Sequence, residues 1–306
     1  MAMPTPDSGD AHPEEPDGDG EGPPAEFTPL PSKGGFAERI GPFFVRESGD
    51  DGCTYGFRPT ERHCNAQDIV HGGAYYSFAD HIAGHNIVLS TGRMCATAKL
   101  KVEFMAPAPV GGWVEARCRI VRATRGFAFV RITLSSGTRT VMTADGSYRL
   151  FGEWSPAVHG ATPAAGGASA EPVPGGFKAF SLQGGFPELY GPMRYNRDGD
   201  GRYVCGLATH AGHDNTTGAV HGGVILAFAD DMMGRTVSAS TRRYSSTIAL
   251  DVSYLDSVAP GAWLEGRAEI SGADDELCFV RATVQHAGRP VLSADGVWRL
   301  FGGYGA

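Results

Sequence analysis

"VHGGAYYSFADHIAG" (70–84) and "VHGGVILAFADDMMG" (220–234) are one motif written twice, 150 residues apart. Each copy opens on His-Gly-Gly, runs into apolar residues and sets an acid, Asp80 or Asp230, in the middle of them. Sliding the sequence by 150 aligns 34–152 with 184–302 without a gap, and 44 of the 119 paired positions are identical. A repeat of that length is two whole domains rather than the short units of a solenoid.

The rest of the chain fits around the two copies. Residues 1–33 hold eight acids against a single base, Lys33, and are rich in Pro and Gly, the composition of a disordered acidic tail. Residues 153–183, with "SPAVHGATPAAGGASAEPVPGG" at their centre, read as a linker. Domain one is then 34–152 and domain two 184–306. The formal charge of −8 lies almost wholly in the tail, so the domains are near neutral and offer no basic face for nucleic acid. No apolar run has the length of a membrane span, and "MAMPTPDSGD" lacks the basic start and apolar stretch of a signal peptide. The expected location is the cytoplasm. The six cysteines have no close pairing of the metal or redox kind and do not recur at equivalent places, so they are expected to be isolated thiols.

Within each copy the pattern predicts one long helix and then a run of strands. From Gly72 and Gly222 the residues are apolar around most of a helical circumference, which marks a buried helix. "ATAKLKVEFM", "GWVEARCRIVRA", "FAFVRITLSS" and "TVMTADGSYRLFG" are rich in β-branched and aromatic residues with Gly breaks between them, the pattern of antiparallel strands. The fold class is α+β, with a sheet curling round its helix.

An ionised carboxylate in a buried helix is costly unless it is paired. A lone Asp there is ordinarily explained by a polar stripe or a nearby backbone group. Three further repeated features point instead to a site. The His-Gly-Gly at the helix start leaves backbone N–H groups free beside Gly72, Gly73, Gly222 and Gly223, small enough for a carbonyl oxygen to approach. Asn65 and Asn215 stand six residues before His71 and His221, as amides that can donate to a substrate. Thr97 and Thr247 open the next strand with hydroxyls that could hold water.

This combination of Asn, His-Gly-Gly, helical Asp and a hydroxyl residue leading into "FMAPA" resembles the hotdog-fold thioesterases, most closely the phenylacetate-degradation (PaaI-like) group of acyl-CoA thioesterases. The resemblance covers both copies. It implies two tandem hotdog domains paired as an intramolecular pseudo-dimer, with active sites between the halves. One site would use Asn65, His71 and Gly72 with Asp230 and Thr247. The other would use Asn215, His221 and Gly222 with Asp80 and Thr97. The implied reaction is hydrolysis of acyl- or aryl-coenzyme A thioesters, with the Asp as general base or as nucleophile, the Gly N–H groups on the oxyanion, and the His orienting the Asn or the thiolate. No metal or cofactor beyond the coenzyme A of the substrate is expected. Arg93 and Arg243, repeated just before the Thr-bearing strands, are candidates for its phosphates; Arg131, Arg281, Arg149 and Arg299 lie in strands as structural ion-pair partners.

The copies differ beside the acid, where His81 faces Asp231 and His85 faces Arg235, so the sites are expected to be unequal. Asp231 should raise the pKa of Asp230 by like-charge repulsion. The family often carries Ser where this chain has Thr97 and Thr247, a change that keeps the hydroxyl and adds a methyl. A non-catalytic acyl-CoA-binding protein and a hydratase of the same fold are the rivals. Retention of the acid in both halves argues against the first, and the motif spacing against the second. Self-association of the double-hotdog chain is compatible with this design.

Overall fold

The computed structural model describes residues 22–32, 35–47, 53–65, 67–155, 170–181, 184–215 and 217–303. The first half contains β1 (Thr28–Pro29), α1 (Gly35–Ile40), β2 (Phe43–Glu47), β3 (Cys53–Phe57), α2 (Gly72–Thr91), β4 (Arg93–Phe104), β5 (Val114–Ala123), β6 (Phe127–Ser136) and β7 (Arg139–Glu153). The second repeats it as β8 (Lys178–Ala179), α3 (Phe186–Tyr190), β9 (Arg194–Arg197), β10 (Tyr203–Ala208), α4 (Gly222–Thr241), β11 (Arg243–Tyr254), β12 (Trp263–Ala273), β13 (Leu277–His286) and β14 (Arg289–Gly303).

All fourteen strands form one antiparallel sheet in the order β1-β2-β3-β5-β6-β7-β4-β11-β14-β13-β12-β10-β9-β8. The halves meet at its centre, where Lys99–Glu103 of β4 pair with Ala249–Ser253 of β11. Each half of the sheet wraps its own twenty-residue helix, and α2 and α4 also pack against each other. Ala74, Tyr76, Phe78, Ile82 and Ile87 of α2, and Val224, Phe228, Met232 and Met233 of α4, lie in one continuous apolar core. At about 1.5 Å per residue each helix runs about 30 Å.

The ordered fold is wider than the limits 34–152 and 184–306. Phe27 and Leu30 are buried, Phe27 packs edge-on against Trp113 at 5.0 Å, and β1 adds to the sheet beside β2. Thus 22–32 belong to the first domain rather than to a disordered tail; residues 1–21 lie outside the described residues. In the same way Phe177 meets Trp263 at 5.0 Å, and β8 pairs with β9 inside the stretch read as linker, of which 156–169 lie outside the described residues. An aromatic anchor in a Pro- and Gly-rich stretch outweighs the average composition, because one buried ring contributes about 1.5–3 kcal/mol.

The short helices cross between halves. The Phe36 N–H of α1 donates to the Asp214 carbonyl at 2.9 Å, and the Phe186 N–H of α3 donates to the Cys64 carbonyl at 2.8 Å. Gly35 and Gly185, both at positive φ, are needed here: a Cβ would stand 2.1 Å from the Asp214 oxygen or 2.2 Å from the Cys64 oxygen. The six cysteines are unpaired thiols. No helix among the described residues is long and apolar enough to cross a membrane.

Candidate active site

The two long helices start in the same unusual way. His71 is the N-cap of α2, and its Nδ1 accepts the Gly73 N–H at 2.8 Å; His221 caps α4 by accepting the Gly223 N–H at 3.0 Å. A ring nitrogen thus replaces the Ser or Asp oxygen that usually takes this donor. The acceptor role of Nδ1 places the ring proton on Nε2, which points away from the helix.

Asp80 and Asp230 sit two turns further along, buried. Thr97 donates to Asp80 Oδ1 at 2.6 Å, and Thr247 donates to Asp230 Oδ1 at 2.9 Å. Both threonines are followed by a register shift in their strand pairing, a bulge that re-aims the local side chains. The hydroxyls therefore lie against the carboxylates. A second donor reaches Asp80 Oδ1, the Tyr148 hydroxyl at 3.1 Å. Trp298 stands at the corresponding place in the other half, and sequence reasoning missed the pair. The signal was available, since "ADGSYRLFG" and "ADGVWRLFG" differ only at Ser147/Val297 and Tyr148/Trp298.

Each acid faces the helix start of the other half. A Cβ added to Gly222 would lie 3.1 Å from Asp80 Oδ2 and 3.2 Å from the Tyr254 ring, so the carboxylate presses on the opening turn of α4. His221 feels the charge of Asp80, and His71 feels those of Asp231 and Asp230. At Gly72 the neighbour is the Phe104 ring, 2.8 Å from an added Cβ. Glycine at these positions lets those side chains close on the helix start, where the N–H groups of Gly73 and Gly223 are already taken by His71 and His221.

The electrostatics of the two places differ. Burial pushes the Asp230 carboxyl up to about 6; the neighbouring His71 opposes the rise, Asp231 adds to it, and the Thr247 hydrogen bond opposes it. The like-charge effect of Asp231 thus exists but ranks behind burial. Asp231 itself is held below the usual carboxylate range: burial raises it, but His71 Nε2 at 3.0 Å, the Tyr190 hydroxyl and Arg235 outweigh burial. Where Asp231 stands in one half, His81 stands in the other. Burial, His221 and His85 together depress His81 to about 3, leaving it neutral.

Other expected residues are placed as follows. Asn65 Oδ1 accepts the N–H groups of Gln67 and Ile69, and Asn215 Oδ1 accepts those of Thr217 and Ala219. Each Asn closes its own loop with its oxygen and keeps the amide NH2 for another partner. The His71 ring uses both nitrogens, on Gly73 and on Asp231 of the other half, so its contact is with the acid rather than with Asn65. Gly73 is closed over by the Phe186 ring, which stacks on His71 at 5.1 Å, and Gly223 by the Ser77 side chain. Arg93 donates to the Arg125 carbonyl, and Arg243 to those of Phe301 and Asp275 at 2.6 Å. These arginines thus end on backbone carbonyls, four residues or about 13 Å of strand before the threonines that bind the carboxylates. Arg131–Asp145 at 2.8 Å and Arg281–Asp295 at 2.9 Å are surface ion pairs. Among the described residues no group of three or more His, Cys, Asp or Glu is placed to hold a metal.

A model of the thioesterase superfamily matches the chain twice, over residues 67–143 and 217–293. The chain belongs to the thioesterase superfamily. It is a thioester hydrolase of two tandem hotdog domains, and each match spans a helix start, its acid and most of the strands that follow. A Pseudomonas aeruginosa protein named as an esterase is 31% identical over 129 residues, which are 42% of this thioesterase and 96% of that relative. Its aligned length is that of one half. Among solved structures, a hot dog fold protein of Alicyclobacillus acidocaldarius aligns with a TM-score of 0.63 at 16% identity, covering 87% of this chain and 98% of that one. An acyl-CoA thioesterase II of Mycobacterium marinum aligns with a TM-score of 0.55 at 9% identity, covering 89% and 98%. At such identities the likeness is one of fold.

Proposed function

We propose that this thioesterase hydrolyses acyl- or aryl-coenzyme A thioesters, in the manner of the phenylacetate-degradation group, at two sites that each draw residues from both halves. The observation that carries the reading is the approach of Asp80 Oδ2 to the Gly222 turn across the helix pair. Hydrolysis of a thioester needs a carboxylate within hydrogen-bond reach of the attacking water and free helix N–H groups about 3 Å from the carbonyl oxygen.

In the first site Thr97 and Tyr148 bind Asp80 Oδ1, so Oδ2 is the oxygen left to act. It takes a proton from water as the water oxygen attacks the thioester carbon. The carbonyl oxygen becomes negative against the N–H of the Gly222 turn and the Asn215 amide. As the tetrahedral species collapses, the C–S bond breaks and the thiolate leaves, taking the proton back from Asp80. Asp230, Thr247, the Gly72 turn and Asn65 do the same in the second site. The pantetheine arm of coenzyme A separates its phosphates from the thioester by many bonds, which suits Arg93 and Arg243 at a distance from the acids.

A panel of acyl- and aryl-CoA esters assayed for free thiol tests the substrate class. Asp80→Asn with Asp230→Asn is expected to lower the rate at least about a hundredfold while leaving the fold intact by circular dichroism. Near-normal turnover in that double variant would overturn the assignment.

A further inference from the structure

The acid and the helix start that serve one site stand on different long helices, so their separation is set by whatever ties those helices together. At the second site a hydrogen bond does so next to both groups. Asp231 follows Asp230 on α4, His71 precedes Gly72 on α2, and the His71 Nε2–H donates to Asp231 Oδ1 at 3.0 Å across the halves. The rest of the ring is fixed as well, since Nδ1 accepts the Gly73 N–H at 2.8 Å and the Phe186 ring stacks on its face at 5.1 Å. An imidazole with both nitrogens and one face engaged keeps one tautomer and one orientation.

Asp231 is itself held from two sides. The Tyr190 hydroxyl of α3 donates to its Oδ2, and Arg235, one turn further along α4, favours its charged form. The short helix α3 thus supplies both the ring over His71 and the donor on Asp231, and the Phe186 N–H ties it to the Cys64 carbonyl of the first half at 2.8 Å. At the first site His81 stands for Asp231, Ile40 for Tyr190 and His85 for Arg235. There the rings of His221 and His81 stack with their centroids 6.3 Å apart. The acid, its donor and its cation are present together in one half and replaced together in the other. The first half packs without them, so the fold does not require them, and a buried, paired carboxylate adds little stability over an apolar filling of the same space.

We propose that Asp231 is a positioning residue of the second site: by holding His71 it sets the Gly72 turn against the Asp230 carboxylate, so that the attacking water and the carbonyl oxygen meet their partners together. It touches no reacting atom. This role rests on the thioester-hydrolysis reading of that site and gives it a device that the first site lacks.

Single-site backgrounds test it, with thiol release from one CoA ester followed at pH 8. Asp80→Asn leaves the second site at work, and Asp230→Asn leaves the first. In the Asp80→Asn background Asp231→Ala removes the acceptor of the His71 Nε2–H and should lower kcat about 10–100-fold with KM within about twofold, because misplaced groups cost rate rather than binding. Asp231→Asn keeps an acceptor oxygen and should bring kcat back to within about threefold. In the Asp230→Asn background neither change should alter turnover, which shows at the same time that the variant is folded. Tyr190→Phe keeps the buried ring, loosens Asp231, and should cost about threefold in kcat in the Asp80→Asn background alone; should Asp231→Ala not fold, this variant decides. Equal losses of folded protein's turnover in both backgrounds, a loss confined to KM, or Asp231→Asn no better than Asp231→Ala would overturn the proposal. Near-normal turnover of Asp80→Asn with Asp230→Asn, measured alongside, would instead overturn the reading of the acids on which it rests.

Discussion

Asp80 and Asp230 are equivalent by sequence, by helix position and by their threonine partner, yet they live in different electrostatic settings. Asp80 has a tyrosine donor, a neutral His81 beside it and His221 across the helix pair. Asp230 has no tyrosine at the matching place. It has a second acid next to it, held by His71 and Tyr190 from other elements. The duplication therefore preserved the acid, the Thr and the helix start, and let the surrounding charges drift. What is common to both settings is what a hydrolytic site requires; what differs sets how each one responds to pH and how much stability it costs.

The largest effect that separates the two settings should be on the pH dependence. In Asp80→Asn only the Asp230 site remains, and a base must be ionised to take a proton. With the Asp230 carboxyl at about 6, kcat/KM of that variant should rise tenfold per pH unit below 6 and level off above it. A limb near 4 would show that burial of Asp230 does not govern its titration.

The same shift bears on stability, and here the sign is unusual for an Asp. The folded-state pKa lies above the unfolded value, so the folded chain binds the proton more tightly, and ionisation costs stability. The cost is absent below about pH 4 and complete above about pH 6. Asp230→Asn should therefore stabilise the protein at pH 7.5 by about 1–3 kcal/mol, read from denaturant unfolding, with the gain fading as pH falls toward 4. An equal gain at both pH values would assign it to some other cause. An active-site group that lowers stability is the usual compromise between function and folding.

Tyr148 gives the smallest expected effect and the most selective one. Tyr148→Phe removes one of two donors to Asp80 and nothing at Asp230. In an Asp230→Asn background it should slow turnover by about 3–10-fold, as for one hydrogen bond to a charged group with a second donor retained. In an Asp80→Asn background it should change nothing; an equal loss in both backgrounds would mean that Tyr148 acts on the fold.

Much of this molecule was legible before its structure. The repeat gave two whole domains, the family resemblance implied their pairing, the all-round apolar run gave two buried helices, and His-Gly-Gly marked their starts. The less legible parts depended on single long-range contacts. Nothing in the run around Phe27 distinguishes an anchored segment from the acidic tail before it until Trp113 is seen beside it. Both nitrogens of His71 look free in the sequence, because Asp231 is 160 residues away and arrives only through the helix pairing. Asn65 reads as a substrate donor, and half of its amide is in fact the clamp of its own loop.

The central claim is that each site is split between the halves, and one pair of double variants tests it. Asn65→Asp keeps the oxygen that closes the loop and removes the amide donor. Combined with Asp230→Asn it strikes one site twice; combined with Asp80→Asn it strikes both sites. Turnover of a single CoA ester, measured by thiol release beside the three single variants, should stay near that of Asp230→Asn alone in the first combination. In the second it should fall to the level of Asp80→Asn with Asp230→Asn. The reverse pattern, with Asn65→Asp and Asp80→Asn sparing a site and the other combination losing both, would contradict the claim and give each half a complete site of its own.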